Sequence, residues 1–245
     1  MMQNSAGTFP NPPRFLVGVP KRVIRKLDAA AVLLDALYAR KEPAAIGSFI
    51  ALGSITSTLL AAKVQQRRIR RAWKSSWKQP GRGRGGRTLF HDVHFYLICW
   101  ARVAKLASFV ARVTQFPQLK LVLRRYHARL EQMSDFRDHL EHFEERLPGG
   151  TRHHVLKVPG DLFNMVGDFA TIGGERVNVG TDSLQLLVVI VEEFKSAVLF
   201  DALEALAAKD PTRAAHLIRR AAVEMGMART IKQIQKALQE SSPLK

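Results

Sequence analysis

Apolar residues in the second part of the chain recur every three or four positions, which is the period of one face of an α-helix. The pattern predicts four helices, over 90–116, 119–147, 183–209 and 211–239. An amphipathic helix over 21–40 precedes them. These elements predict a mainly α fold, in which the helices form a bundle.

Prolines and capping residues mark the ends of these predicted helices. Pro117 and Pro148 end the first and second helices, because proline cannot continue a helix. Asp182 and Asp210 stand where the third and fourth begin, and each offers a carboxylate to first-turn N–H groups. Pro211, directly after Asp210, suits the first helical position.

Between the second and third helices the alternation of apolar and polar residues predicts a β-hairpin. Two short alternating runs, 169–172 and 175–179, flank Gly173-Gly174. Two glycines suit a two-residue turn that needs positive φ. Residues 155–158 are a candidate third strand. The predicted fold is therefore a helical bundle with a small β-hairpin, at about 153–180, inserted between helix pairs.

Positive charge is concentrated in the first third of the chain. The formal net charge is +17; residues 1–87 hold 17 Lys and Arg against 3 acidic residues, whereas residues 88–245 hold 21 against 18. Residues 63–87 contain no acidic residue, which indicates an interaction arm for an anionic partner, either nucleic acid or lipid headgroups. Its ten cations are Lys63, Arg67, Arg68, Arg70, Arg71, Lys74, Lys78, Arg82, Arg84 and Arg87.

The domain organisation follows from a glycine-rich stretch at 79–87, which predicts a flexible linker. It separates a basic N-terminal region, 1–87, from a helical domain, 88–245. Residues 1–13 lack the pattern of a signal peptide. The single cysteine, Cys99, excludes an internal disulfide and suits a reducing compartment such as the cytoplasm.

Residues 44–62 form a run of 19 residues without a charge. The run is long enough for a helix to cross a bilayer of about 30 Å, but its glycine, serine and threonine residues suit a packed helix equally well. Both interpretations stay open. If the helix spans, the cations that follow it place residues 63–245 in the cytoplasm and make the protein an inner-membrane anchored one.

A charged triplet lies within the second predicted helix. Arg137 stands where the helical spacing predicts an apolar residue, and a buried cation must be paired or line a cleft. Asp138 and His142 are four residues apart, so the carboxylate is able to orient the imidazole as an acid or base. The alternative is an ordinary salt-bridged helix face that is exposed to water.

Two histidine pairs, His91 with His94 and His139 with His142, have the spacing of metal ligands on one helix face. No cysteine accompanies them, and neither pair has the Glu-x-x-His pattern of di-metal bundles. The sequence therefore predicts neither a metal site nor a cofactor.

The residues around the triplet, Phe136-Arg-Asp-His-Leu-Glu-His142, resemble the HEPN superfamily of all-α domains. The signature of this superfamily is an arginine, usually a polar residue after it, and a histidine after four to six intervening positions; Arg137, Asp138 and His142 match it. The resemblance covers residues 88 to about 208 and includes uncharacterised bacterial proteins of this type.

The resemblance implies a homodimer that cleaves RNA without a metal, by attack of the 2′-oxygen. Arg137 would stabilise the phosphate charge and His142 would move the proton. A toxin or defence setting is one interpretation of such a ribonuclease, and the sequence does not identify an antitoxin or another partner chain.

Three functional hypotheses follow. The protein is a metal-independent endoribonuclease, or it is a non-enzymatic protein that inserts residues 44–62 into a membrane and binds anionic lipid headgroups with residues 63–87. The third hypothesis is an RNA- or DNA-binding module that uses the same basic segment.

Overall fold

The computed structural model describes residues 21–24, 27–39, 45–78, 84–141, 164–172, 175–227 and 232. Within them the fold is mainly helical with one small antiparallel sheet, which confirms the predicted fold class. The helices are α1 (Lys21–Ile24), α2 (Ala29–Ala39), α3 (Ala45–Lys78), α4 (Arg84–Thr114), α5 (Pro117–Glu141), α6 (Thr181–Lys209) and α7 (Pro211–Glu224), and the strands are β1 (Asn164–Val166), β2 (Phe169–Ile172) and β3 (Glu175–Asn178).

The described residues belong to two compact units. The first holds those within Met1–Phe49, Val113–Leu121 and Lys195–Lys245, and the second holds those within Ile50–Arg112 and Val122–Phe194. Each unit therefore draws on sequence from both sides of residue 87, where the sequence predicts a domain boundary.

The first unit contains α1, α2 and α7. The single amphipathic helix predicted over 21–40 is two helices, because Asp28 interrupts it: its Oδ1 accepts a hydrogen bond of 2.9 Å from the Ala30 N–H and caps α2. Asp35 of α2 forms a 3.1 Å ion pair with Arg213 of α7, and α1 also contacts α7.

Helix α7 begins as predicted but ends earlier. The Oδ1 atom of Asp210 accepts a 2.8 Å hydrogen bond from the Arg213 N–H, and Pro211 occupies the first turn. The helix ends at Glu224 rather than near Gln239, because the chain turns at Gly226, whose φ is +65°. A left-handed glycine of this kind is a common helix ending.

The boundary between α4 and α5 follows the predicted proline. Helix α4 ends at Thr114, and α5 begins at Pro117. The buried carboxylate of Asp201, from α6, accepts hydrogen bonds of 3.0 and 3.2 Å from the backbone N–H groups of Gln118 and Leu119. Asp201 therefore caps α5 from another helix of the same unit.

The second unit has an aromatic core. Tyr96 and Trp100 of α4, Phe136 of α5 and Phe194 of α6 are almost fully buried. The Tyr96 hydroxyl donates a 3.0 Å hydrogen bond to Ser183 Oγ, which satisfies a polar group that burial would otherwise leave without a partner.

The small sheet has the order β1-β2-β3, with both pairs antiparallel. Ile172 pairs with Glu175 across Gly173-Gly174, which confirms the predicted hairpin. The third strand is β1, and it joins β2 through Gly167 and Asp168. The candidate strand at 155–158 lies outside the described residues.

Helix α6 begins at Thr181, so Asp182 is its second residue and not the predicted cap. Gly180 takes the cap position, because its carbonyl accepts the first helical hydrogen bond, 3.2 Å from the Leu184 N–H. A side chain at Gly180 would collide with Asp168, because a Cβ atom there would lie 2.2 Å from the Asp168 Cγ. Only glycine allows this approach.

Residues 63–78 are the second half of the continuous helix α3. Gln66 and Ile69 are buried, so this basic segment has one packed side that the charge count does not reveal. Residues 84–87 belong to α4, which corrects the predicted linker at that end. Residues 79–83 lie outside the described part.

Candidate functional site

The apolar face of α5 passes through Phe136 rather than Arg137. Met133, Phe136 and Leu140 are buried at the 3/4 spacing of a helix face. Arg137 lies beside this face, and its side chain is 17% exposed. The arginine therefore borders the core instead of interrupting it.

The guanidinium of Arg137 is paired within its own helix. It contacts the carboxylate of Asp138, and its Nη1 donates a 2.6 Å hydrogen bond to Glu141 Oε2. The sequence predicts that Asp138 orients His142; here Asp138 contacts Arg137, and His142 lies outside the described residues. Of the predicted catalytic residues, Arg137 and Asp138 thus come together.

Glu141 connects α5 to α4. Its Oε1 lies 3.5 Å from Nε2 of His94, a histidine that the sequence suggested only as a metal ligand. Burial alone would raise the pKa of Glu141, but the Arg137 guanidinium and then His94 hold that pKa below its ordinary value. The carboxylate is consequently stabilised in its charged form.

Among the described residues, the acidic side chains that interact with Arg137 and its helix neighbours include Glu131, Asp135, Asp138, Glu141 and Glu175. His139 pairs with Glu175 of β3 at 3.2 Å. Burial raises the pKa of Asp135, and the carboxylates of Glu131, Asp138 and Glu175 raise it further. Within the described part of the chain, these carboxylates oppose the approach of an RNA phosphate. The described part of the chain contains no group of three or more histidine, cysteine or acidic side chains able to hold a metal ion.

The predicted binding cations divide into two sets. Lys63, Arg67, Arg68, Arg70, Arg71 and Lys74 lie on α3, and all of them except Lys63 are exposed. Lys78, Arg84 and Arg87 are helical with side chains outside the described part, and Arg82 lies outside it altogether. Arg68 is already paired, since its Nε lies 2.8 Å from the buried Asp92 Oδ1.

The outer face of α3 is apolar along its first half. Ile50, Leu60 and Val64 are 58%, 58% and 51% exposed. With the exposed small residues between them they form the apolar row, which consists of Ile50, Gly53, Ser57, Leu60, Ala61 and Val64. By the 100° step of a helix these positions lie within an arc of roughly 100°. Ile46 and Phe49, earlier on the helix, are exposed as well.

Cations continue the apolar row along the helix. Arg67 and Arg71 follow Val64 at helical spacing on the same face. Together with Arg70 and Lys74 they form the cationic patch, whose four members are linked by steps of three and four residues. The composition of the uncharged run does not show which of its residues are exposed, and this face therefore could not be identified from the sequence.

Two helices of the described chain are long and apolar enough to cross a membrane, Ala45–Lys74 and Thr88–Thr114. The two helices differ in the charge of their exposed side chains. The exposed positions of α4 include Arg102, Lys105 and Arg112, whereas those of α3 before the cationic patch carry no charge. Of these two helices, α3 is therefore the one whose described side chains include an uncharged exposed face.

A pocket opens beside the second half of α3. Its volume is about 230 Å³, and it is lined by Ile69, Arg70, Trp73, Lys74, Met165, Gly167, Asp168, Val179, Gly180 and Thr181. The pocket could not be predicted from the sequence, because its lining comes from three separate segments of the chain.

Comparisons with protein-family models, curated proteins and solved structures gave no match for this chain. The ribonuclease interpretation and the homodimer therefore stay predictions.

Proposed function

We propose that this protein is a membrane-associated protein that binds lipid through the outer face of α3. The observation that carries the proposal is the apolar row followed, on the same helix face, by Arg67 and Arg71 of the cationic patch. The apolar row would enter the acyl region of one leaflet, and Arg67 and Arg71 would meet anionic headgroups.

The length of the row and its hydrogen bonding suit a lipid contact. From Ile50 to Val64 the helix rises roughly 21 Å. The polar side chain within the row is satisfied by the helix itself, since Ser57 Oγ donates a 3.3 Å hydrogen bond to the Gly53 carbonyl. No unpaired donor of Ser57 would be taken into lipid, where such a group is costly.

Contact is expected on one face only. Leu52, Ile55 and Leu59, on the opposite side of α3, are buried within the protein. Lipid would therefore meet the exposed row, as it does with a helix that lies in the interface. The cationic patch favours the cytoplasmic leaflet, whose surface is anionic.

Nucleic acid explains less of this surface. Phosphates would attract the cationic patch, but large apolar side chains such as Leu60 gain little from a phosphate backbone. A membrane accounts for both the apolar row and the cations that follow it. Competition by RNA is therefore an outcome that the experiment must examine.

The test is sedimentation of the full-length protein with vesicles of phosphatidylcholine, with and without phosphatidylglycerol. We expect binding that rises with phosphatidylglycerol and falls with salt, because each cation near an anionic surface contributes about 1 kcal/mol. The Arg67→Gln/Arg71→Gln variant should lose most of this dependence. Arg102→Gln/Lys105→Gln, which removes two exposed cations of α4, is the matched control.

Alkaline carbonate should release the bound protein, because α3 keeps its packed side. Three results would reject the proposal: no binding to either vesicle, binding that RNA abolishes while lipid composition has no effect, or retention in carbonate. The last result would mean that α3 leaves its packed position and crosses the bilayer.

A further inference from the structure

The pocket beside α3 combines an apolar floor with a charged rim. Ile69, Met165 and Val179 are buried and form the floor. Arg70 and Lys74, both exposed, stand on the rim on the side of α3, and Asp168 stands on the rim on the side of the sheet. A volume of about 230 Å³ suits a ligand of headgroup size.

The rim carries positive charges, from Arg70 and Lys74, and a negative charge, from Asp168. A ligand that fits this rim should therefore carry charges of both signs. A simple anion would meet Arg70 and Lys74 but would also be repelled by Asp168. A ligand that carries a phosphate and an ammonium group satisfies all three side chains. Trp73 adds an aromatic ring to the lining, and an ammonium group binds favourably over such a ring.

The backbone fixes the position of Asp168. It lies in the two-residue turn between β1 and β2, where Gly167 has a φ of +60°. Its carbonyl accepts a 2.8 Å hydrogen bond from the Val179 N–H, and its side chain rests against Gly180. The carboxylate is thus held at the rim instead of on a long flexible loop.

We propose that this pocket binds a phosphate–ammonium zwitterion, of which phosphoethanolamine is the simplest example. Arg70 and Lys74 contact the phosphate, and Asp168 with Trp73 contacts the ammonium. The ligand is either a soluble phosphoethanolamine compound or the headgroup of a lipid. The lipid version rests on the proposed membrane association, because Arg70 and Lys74 also belong to the cationic patch.

The experiment is isothermal titration calorimetry of the full-length protein, without lipid, with phosphoethanolamine, inorganic phosphate and ethanolamine. Phosphoethanolamine should bind more tightly than either of the others. Asp168→Asn should weaken phosphoethanolamine about tenfold, because the ammonium contact is lost, and should not weaken inorganic phosphate, because the variant removes a repulsive charge. Lys74→Gln should weaken both, and Lys105→Gln, on α4, should weaken neither.

Several results would overturn the site: equal affinity for phosphoethanolamine and phosphate, equal loss of both in Asp168→Asn, or no loss in Lys74→Gln. Circular dichroism of each variant separates these results from misfolding. Failure of the site is distinguishable from failure of membrane association, because Ile50→Ser/Leu60→Ser should leave the soluble titration unchanged.

A second experiment distinguishes the two sources of the ligand. It measures binding of the protein to vesicles of phosphatidylcholine and phosphatidylethanolamine, with and without soluble phosphoethanolamine. If soluble phosphoethanolamine lowers binding to these vesicles, the lipid headgroup occupies the pocket. If it binds in the first arm and leaves vesicle binding unchanged, the ligand is the soluble compound.

Discussion

At the scale of the residue, position relative to the buried face decides what a charged side chain does. Phe136 takes the buried place on α5, and Arg137 beside it is neutralised by Asp138 and Glu141. Arg67 and Arg71, on α3, are exposed at the end of an apolar row. The sequence singles out Arg137 as a candidate catalytic residue. Arg67 and Arg71 are the arginines that are better exposed to bind an anionic surface.

Replacing Glu141 with glutamine should destabilise the protein in a pH-dependent way. The pKa of Glu141 lies below its ordinary value of 4.5, because Arg137 and His94 outweigh burial. Its contribution is therefore complete above that value and is lost as the pH falls through the lower folded-state pKa. We expect Glu141→Gln to lose about 0.5–1 kcal/mol at pH 7 and less under acid conditions, measured by urea denaturation.

The control for this prediction is Glu131→Gln, which removes an acidic group of the same helix whose side chain is 60% exposed. It should change stability little at either pH. An equal loss for Glu141→Gln at neutral and acid pH would show that the carboxylate charge contributes nothing.

The ribonuclease hypothesis requires the guanidinium of Arg137 to stabilise the charge on an RNA phosphate. Because its guanidinium is neutralised by two carboxylates of its own helix, we expect the purified protein to leave single-stranded RNA intact in EDTA. Gel analysis of the RNA is the measurement. Cleavage that disappears in both Arg137→Ala and His142→Ala would instead establish the ribonuclease and displace the present proposal.

At the scale of the element, periodicity and turn chemistry predicted much of the fold. The Gly173-Gly174 hairpin, the break at Pro117 and the Asp210 cap depend on neighbouring residues, and all three are confirmed. Features that depend on distant segments were not predictable. The packed side of α3 and the pocket beside it require knowing which elements meet, and charge density alone does not show that residues 63–78 have a buried side.

Asp201, which caps α5, should make the protein less stable as the pH rises, whereas Glu141 should make it more stable as the pH rises. Burial raises the pKa of Asp201 to about 6, although two N–H groups oppose the shift. Between its ordinary value of 3.8 and about 6, the folded state binds more protons than the unfolded state, so stability falls as pH rises through this window. We expect Asp201→Asn to remove this fall in melting temperature.

Asp210→Asn, at the exposed cap of α7, is the matched control and should keep the wild-type dependence. A decline that becomes steeper in Asp201→Asn would contradict the assignment. Calorimetric melting curves recorded from pH 4 to pH 7 are sufficient to distinguish these results.

At the scale of the whole molecule, the excess charge has a definite location. The formal charge of +17 comes mainly from residues 1–87, and the cationic patch on α3 presents part of it directly after an uncharged exposed face. Salt dependence alone would not separate a lipid partner from RNA, since both are polyanions. The apolar row is the part of the surface that separates them.

The central claim is therefore tested most directly by the affinity of Ile50→Ser/Leu60→Ser for vesicles that contain phosphatidylglycerol. Leu121→Ser/Val189→Ser is the comparison, because it removes two apolar side chains that are 51% and 45% exposed on other helices. We predict that the α3 variant binds at least about tenfold more weakly, as expected when the burial of apolar area is lost, and that the comparison variant binds like the wild type. Equal affinity of the two variants would contradict the account.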